Sequence, residues 1–267
     1  MEDTQNILSW YITAGIETIC GDEPYNALQK NESSENIAQA VNMPKAVENT
    51  GKVNIRPATT LLAQENSAAC ANAKELCAKA QTLEDLKAIM ENFGGCSLKF
   101  SANSTVFGSG NPQAEIMLIG EAPGADEDRV GEPFVGRSGQ LLNKMLAAIS
   151  VRREDCYITN VLPWRPPGNR TPTDAEIAVC LPFLHRQIEL IKPKIIFLLG
   201  ASAANAVLEK AENISDMRGH FMEYTLPDGK IVPALAGYHP AFLLRSPAQK
   251  AKAWSDMMRL QRKLAEV

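Results

Sequence analysis

From about residue 96 onward, short apolar segments alternate with longer amphipathic segments, and this alternation restricts the chain to few folds. Short apolar strands separated by helices are typical of parallel sheets that are covered by helices on both faces. The sequence therefore predicts an α/β fold with three αβα layers around a central four-stranded, mainly parallel sheet. Strands are predicted over residues 116–119, 157–161, Ile195–Leu199 and 232–236, and helices over 139–149, Asp174–Ile191, 201–210 and 248–264.

The first 80 residues do not share this alternation. Residues 1–20 have a helix-like spacing of apolar side chains, whereas residues 21–67 are polar with weak periodicity, as in a poorly ordered linker. Residues 68–80 are rich in alanine and either form a helix or continue that linker. Thr82 then has the features of a helix N-cap, with Asp85 three positions later. We therefore predict a helical, low-complexity and partly disordered extension over residues 1–80 and a folded domain over residues 81–267.

The composition argues against membrane and secreted proteins. No apolar run approaches the ~20 residues that span a bilayer, and the amino terminus lacks the basic segment of a secretory signal. The six cysteines do not have the dense spacing of a disulfide-rich domain. We therefore expect reduced thiols, a cytoplasmic location and no membrane contact. A net charge of −4 gives no overall preference for nucleic acid, although residues 239–263 are locally basic.

Polar side chains follow three of the predicted strands. Glu121 follows the first strand, Asn160 lies at the end of the second, and His239 follows the fourth. Each has an ordinary explanation by itself, as a solvated carboxylate, a turn residue or a loop histidine, and Phe134 could simply be a core residue. In parallel sheets, however, ligands bind where loops leave the carboxyl ends of the strands. These residues together predict one pocket for a planar, polar ring, with Phe134 as its apolar wall.

Three segments together resemble the signature motifs of the uracil-DNA glycosylases, most closely those of the type-4 branch. They are GEAPGADEDRVGEPFVG over residues 120–136, YITNVLPWRPPGNRTP over residues 157–172 and GYHPAFLLR over residues 237–245. The resemblance extends over residues 96–264 and leaves out the amino-terminal part. It implies a monofunctional repair enzyme that flips uracil out of DNA, hydrolyses the N-glycosidic bond and leaves an abasic site.

The resemblance also implies roles for individual residues. Phe134 stacks on the flipped base, and the Asn160 amide pairs with uracil O4 and N3–H. Cytosine presents the reverse pattern and leaves buried groups unpaired. His239 donates a hydrogen bond to O2 of the departing uracil. The aspartate base that one branch of the family carries early in the first motif is not matched here. Our first candidate for the carboxylate that holds the attacking water is Glu127, with Glu121 as the second. Further contacts to uracil come from the segment Glu121, Ala122 and Pro123.

DNA contacts follow from the same resemblance. Leu243 is expected to enter the space that the flipped nucleotide leaves, and Arg165, Arg170 and Arg245 are expected to contact phosphates. Because phosphate contacts release counterions, binding should weaken with salt. The expected partner is uracil-containing DNA, bound by a monomer. The sequence leaves open whether single-stranded or double-stranded DNA is preferred.

The resemblance breaks down at the iron–sulfur cluster that the type-4 branch usually holds on four cysteines. Cys96 and Cys180 occupy two of the ligand positions, but Phe93 and Trp164 stand at the other two. Two thiolates do not complete such a site. We therefore expect no cluster and no other cofactor, with Phe93 and Trp164 filling the volume as a small apolar core.

Other functions stay open at this point. The substrate could be another deaminated base, such as hypoxanthine or xanthine, because pocket width cannot be read from the sequence. The chain could also be a catalytically inactive DNA-binding relative, although Glu127, Asn160 and His239 are all present. An unrelated α/β hydrolase is disfavoured because the chain has no Gly-x-Ser-x-Gly motif. If the chain is a glycosylase, residues 82–267 should keep its activity.

Overall fold

The computed structural model describes residues 58–266, with side chains described from residue 66 onward. The features predicted over residues 1–57 lie outside this range. The strands are β1 (Ser109–Gly110), β2 (Ile116–Gly120), β3 (Cys156–Asn160), β4 (Ile195–Leu199), β5 (Phe221–Thr225) and β6 (Ile231–Gly237). The helices are α1 (Ala58–Lys79), α2 (Leu83–Asn92), α3 (Leu98–Ser101), α4 (Ala125–Val130), α5 (Arg137–Ala148), α6 (Asp174–Ile191), α7 (Ala201–Leu208), α8 (Ile214–Met217), α9 (Pro240–Arg245) and α10 (Lys250–Leu264).

The strands form one sheet in the order β1-β3-β2-β4-β6-β5. The four predicted strands are present as the parallel centre of this sheet, β3-β2-β4-β6. Two further strands, β1 and β5, add antiparallel pairs at the two edges, so the sheet of the described residues has six strands. Since Gly120 pairs with Asn160 and Leu199 pairs with Gly237, the central strands end level with one another at one edge of the sheet.

Helices cover both faces of the sheet, as the sequence predicts for a three-layer α/β fold. Successive side chains of a strand point to opposite faces. On one face, Met117 and Ile119 of β2 pack in a core that includes residues of α1, α2, α6 and α7. On the other face, Ile116 and Leu118 pack with residues of α5 and α10. Both faces of the central strands are therefore buried under helices, which explains why these strands are apolar throughout.

Helix α1 changes the predicted domain boundary. Its residues Ala73 and Cys77, together with Ala80, are buried in the same core as α6, and the Arg186 guanidinium of α6 donates to the Ala80 carbonyl oxygen at 2.7 Å. The boundary at residue 80 is wrong, since it cuts through a packed core. The linker predicted up to residue 67 is also wrong over its described part, because α1 begins at Ala58. Within the described residues, no helix is both long and apolar enough to span a membrane.

Candidate active site

A cavity of about 340 Å³ opens at the carboxyl ends of the parallel strands. This position follows from the fold, since β2, β3 and β6 end together and each leads into one of the loops that the sequence singles out. Nine of the predicted site residues line the cavity, so residues far apart in the sequence share one small space. They are Glu121, Ala122, Pro123, Glu127, Phe134, Asn160, Arg170, His239 and Arg245.

Asn160 ends β3 with its side chain at the floor of this cavity. The residue is only 5% exposed, and its Oδ1 has no hydrogen-bond partner among the described residues. A buried polar atom without a partner is uncommon and carries a free-energy penalty of ~1–3 kcal/mol. Gly120 on the neighbouring strand makes the approach possible, because a Cβ at this position would lie 2.4 Å from Asn160 Oδ1. The site therefore presents a buried acceptor that lacks a donor.

Phe134 forms an apolar wall of the cavity and has an unusual backbone. Its φ of 54° lies in the left-handed region, which residues with a Cβ rarely adopt. The ring is 5% exposed, and its centroid lies 5.6 Å from that of His239 with an angle of 32° between the planes. The bare Gly120 backbone accommodates this ring as well, since a Cβ there would lie 2.6 Å from Phe134 Cζ. An amide, an imidazole and a phenyl ring thus meet at one point.

The tautomer of His239 follows from its hydrogen bond. The Ala241 backbone N–H donates to His239 Nδ1 at 3.1 Å, as part of the cap of α9. In the neutral ring, Nδ1 is then the acceptor and Nε2 carries the proton. Burial, followed by the positive charge of Arg245, lowers the pKa of His239 to about 4. At neutral pH the imidazole is therefore an uncharged donor at Nε2.

The depressed pKa of His239 predicts a pH dependence of stability. Between about 6.5, the ordinary pKa, and about 4, the unfolded chain binds a proton at this histidine that the folded chain does not. The contribution of neutral His239 to the free energy of unfolding is thus present above pH 6.5 and is lost as the pH falls towards 4. Urea unfolding at pH 7 and pH 5 should show a larger loss of stability for the natural protein than for His239→Leu. Equal losses would contradict the lowered pKa.

The two candidate carboxylates have different surroundings. Glu127 Oε2 accepts from the Gly124 N–H at 3.1 Å, and Oε1 accepts from the N–H groups of Val135 and Gly136 at 3.0 and 2.9 Å. Glu127 therefore connects the start of α4 to residues 133–136, here called the Phe134 segment. A carboxylate has about four acceptor positions, and these three bonds leave one of them open on Oε2. Glu121 is half-buried and burial raises its pKa, an effect reduced by a hydrogen bond with Ser202.

Two of the predicted DNA-contacting arginines, Arg170 and Arg245, line the cavity, and Arg165 does not. Arg170 donates to both carboxylate oxygens of Glu176, at 2.9 and 2.6 Å. Arg165 donates from Nε to Asn169 Oδ1 at 2.7 Å. Arg245 is exposed, and no ion pair of its side chain is found among the side chains described, from residue 66 onward. Arg245 is thus the guanidinium with the fewest competing partners.

Leu243 does not occupy the place that the sequence suggests. It is 1% exposed and packs with Tyr238 and Ala253, so this conformation does not present its side chain to DNA. The reason is helical geometry, since residues 240–245 form α9 and neighbouring helix positions point about 100° apart. The exposed neighbour is Leu244, at 38%. It lines a second cavity, which shares Glu127, Ser138, Ala241 and Arg245 with the first.

The described residues do not fit a four-cysteine cluster. Cys96 and Cys180 lie close together, with 3.8 Å between their sulfur atoms, but the other two ligand positions hold Phe93 and Trp164, which are 2% and 1% exposed. Phe93 packs edge-on against Phe183 at 5.1 Å, and Trp164 Nε1 donates to Thr105 Oγ1 at 3.0 Å. Within residues 58–266, no group of three or more His, Cys, Asp or Glu side chains is arranged to hold a metal ion.

Some residues of the cavity had no prediction attached to them. Ser138 and Asn169 line it, and both belong to segments that the sequence motifs contain or adjoin. Ser138 lies in the first turn of α5, directly after the Phe134 segment. Asn169 has a positive φ of 55° and orients Arg165. The only available signal was proximity to the motifs, since serine and asparagine are ordinary residues in loops and helix starts.

The chain is similar in sequence to proteins of known family. The sequence model described as "Uracil DNA glycosylase superfamily" matches residues 107–258. The chain is 40% identical over 179 residues to the type-4 uracil-DNA glycosylase of Pyrobaculum aerophilum. This alignment covers 66% of this chain and 91% of that protein. It is 42% identical over 184 residues to the type-4 enzyme of Archaeoglobus fulgidus, covering 67% and 92%. A type-5 uracil-DNA glycosylase of Pyrobaculum aerophilum is 31% identical over 147 residues, covering 49% and 63%.

Proposed function

The chain belongs to the uracil DNA glycosylase superfamily, and we propose that it starts base-excision repair by removing uracil from DNA. In the proposed reaction the uracil nucleotide is flipped out of the base stack into the cavity. The N-glycosidic bond then breaks, and the base leaves with the bonding electrons. The oxygen of water bonds to the sugar carbon, its proton passes to the carboxylate that holds the water and from there neutralises the released base, and an abasic site remains. The similarity to the type-4 enzymes supports a DNA partner and a glycosylase activity for this chain.

The unpartnered Oδ1 of Asn160 is the observation that carries the choice of uracil. Uracil presents an N3–H donor beside the O4 acceptor, so one amide can accept from N3–H through Oδ1 and donate to O4 through Nδ2. Cytosine presents an acceptor at N3 and a donor at N4, which would leave both pairs of groups mismatched. A site built on such hydrogen bonds rejects a mismatched ligand strongly, because buried groups remain unpaired.

Breaking the glycosidic bond leaves negative charge on uracil and positive charge on the sugar. In the proposed mechanism the His239 Nε2–H donates to uracil O2 as that charge develops. A neutral donor fits this role, since it is already oriented by Ala241 and needs no proton from solvent. Phe134 stacks on the base, and a carboxylate from Glu127 or Glu121 holds the water and offsets the charge on the sugar.

The proposed DNA contacts use the same side of the molecule. Arg245 is exposed at the mouth of the cavity and would contact a phosphate beside the flipped nucleotide. Leu244, instead of Leu243, would fill the space left in the duplex, since it is the exposed leucine of α9. Arg165 and Arg170 would take part once their contacts to Asn169 and Glu176 are shared with phosphate. The proposed reaction assigns no role to a second chain, and we therefore propose that the protein acts as a monomer.

A single assay tests the proposed function. An oligonucleotide with one uracil is incubated with the protein and then treated with alkali, which cuts the strand at an abasic site. We expect cleavage for uracil and none for matched thymine or cytosine strands. Cleavage of hypoxanthine or xanthine strands in preference to uracil would reassign the substrate, and no cleavage of any strand would indicate an inactive relative. Single-stranded and double-stranded versions establish the preferred form.

The roles of the two carboxylates can be separated by amide substitutions. Glu127→Gln should lower kcat by about 10²-fold or more and also lower the unfolding temperature, because an amide NH₂ cannot accept the backbone N–H bonds that Glu127 accepts. Glu121→Gln should lower kcat less. Single-turnover kinetics and thermal unfolding of both variants check this. Natural turnover in Glu127→Gln would exclude Glu127 and leave Glu121 as the carboxylate that holds the water.

A further inference from the structure

The backbone that carries Phe134 needs external support. Phe134 has a left-handed φ of 54°, and a conformation of this kind persists only where the surroundings hold it. The segment 133–136 is followed at once by α5, which approaches it closely. A Cβ at Gly139 would lie 1.8 Å from the Phe134 carbonyl oxygen. The position of the Phe134 ring therefore depends on what holds this carbonyl and its neighbour.

Arg153 makes the contacts that hold these two carbonyl groups. Its Nη2 donates to the Pro133 carbonyl oxygen at 2.7 Å, and its Nη1 donates to the Phe134 carbonyl oxygen at 3.1 Å. Nη1 also donates to Asn143 Oδ1 of α5 at 3.0 Å. The planar guanidinium thus spans two successive carbonyls and the helix that follows them, a geometry that a lysine ammonium does not reproduce.

The positive charge of Arg153 is partly buried without an ion pair. The side chain is half-buried, and no carboxylate among the described residues lies within ion-pair distance of it. Burial lowers the pKa of Arg153, with nearby Glu132 acting in the opposite direction. A cation that is desolvated without an ion pair is costly. Backbone carbonyls are thus the main partners of the Arg153 guanidinium. The neighbouring Arg152 differs, because it is exposed and donates to the carboxylate of Asp155 at 2.8 and 2.6 Å.

A carboxylate completes the support from the other end of the segment. Glu127 accepts the backbone N–H groups of Val135 and Gly136, while Arg153 binds the carbonyls of Pro133 and Phe134. Arg153 itself lies in the single helical turn Arg153–Asp155, which leads directly into β3. The strand that ends at Asn160 therefore begins beside the residue that binds the Phe134 segment.

We propose that Arg153 is a positioning residue that sets the Phe134 ring against the base-binding cavity and fixes it relative to Asn160. This inference rests on the proposed function, because the ring is taken to stack on uracil. Arg153 does not touch the base itself. Its removal frees the Pro133 and Phe134 carbonyls, so the segment relaxes from its left-handed conformation and the ring leaves its stacking position.

The test compares Arg153→Met with the matched control Arg152→Met. We expect Arg153→Met to weaken inhibition by free uracil and to lower kcat/KM on uracil-containing DNA by about 10- to 100-fold, the range that a small misplacement of a substrate-positioning group produces. Arg152→Met should leave both values within about twofold, and affinity for uracil-free DNA should stay unchanged in each variant. Arg153→Lys, which keeps the charge and loses the fork, should fall between the natural protein and Arg153→Met.

A double-mutant cycle separates positioning from general destabilisation. If Arg153 acts through the Phe134 ring, Arg153→Met should add less than about twofold in a Phe134→Ala background. A full additional loss in that background, or the same uracil inhibition for Arg153→Met and Arg152→Met, would overturn the inference. If Arg153→Met is unfolded at the assay temperature, the same comparisons are made with Arg153→Lys. Failure of the natural protein to release uracil would instead refute the proposed function.

Discussion

Replacing Asn160 with aspartate should lower kcat/KM on uracil-containing DNA by about 10³-fold or more. The change is nearly isosteric, so the side chain can keep its close approach to Gly120. A carboxylate accepts from uracil N3–H but cannot donate to O4, and it brings negative charge against that oxygen. The effect is large because both groups are buried and solvent cannot replace the missing donor.

The measurement is single-turnover cleavage of a one-uracil oligonucleotide by the natural protein and by Asn160→Asp. Asn92→Asp provides a control for the added charge, since Asn92 is an exposed residue of α2 that does not line the cavity. Binding to the abasic product should be similar in all three proteins. Natural activity of Asn160→Asp on uracil would show that Asn160 does not read the base, and the substrate assignment would fall with it.

The fold was predictable where burial leaves a strong pattern in the sequence. The strands β2 and β4 are buried at every position and read as continuous apolar runs. The edge strand β5 is mostly exposed, and β1 consists only of a serine and a glycine, so neither carries an apolar pattern. Helix α1 was ambiguous because its alanine-rich sequence makes a narrow apolar face, and only packing against α6 shows that it belongs to the core.

The base-contacting part of the site was predictable for a topological reason. Asn160 ends β3 and His239 follows β6, and both strands end at the same edge of a parallel sheet, where loops converge in any fold of this class. Contacts that depend on side-chain direction were not predictable in this way. The choice between Leu243 and Leu244 depends on the phase of a six-residue helix, which the sequence did not define.

Arg153 was not predictable because its partners are backbone carbonyls. Its hydrogen bonds reach residues 19 and 20 positions earlier in the chain. Every residue has a backbone carbonyl, so the amino-acid types at those positions do not indicate such a contact. In the sequence, Arg152 and Arg153 are equivalent members of a charged turn. Only the structure distinguishes an exposed ion pair from a guanidinium that holds the Phe134 segment.

Replacing His239 with leucine should lower kcat by about 10²- to 10³-fold, the usual consequence of removing one donor to a developing anion. KM should change much less, since the hydrogen bond to O2 strengthens as negative charge accumulates on uracil. The matched control is His220→Leu, because His220 is exposed and does not line the cavity. Thermal unfolding checks that the loss of the Ala241 hydrogen bond has not unfolded His239→Leu.

The pH profile then distinguishes a neutral histidine from a charged one. With a His239 pKa of about 4, lowering the pH from 8 to 5 leaves the ring neutral, so kcat of the natural protein should not rise over this range. An imidazolium would be the stronger donor, and the rate of a mechanism that used it would rise up to tenfold for each unit by which the pH is lowered towards the pKa of the imidazole. Such a rise, lost in His239→Leu, would show that the reacting histidine is protonated. A flat profile together with the loss of kcat in His239→Leu would support catalysis by a neutral imidazole that Ala241 holds in a single tautomer.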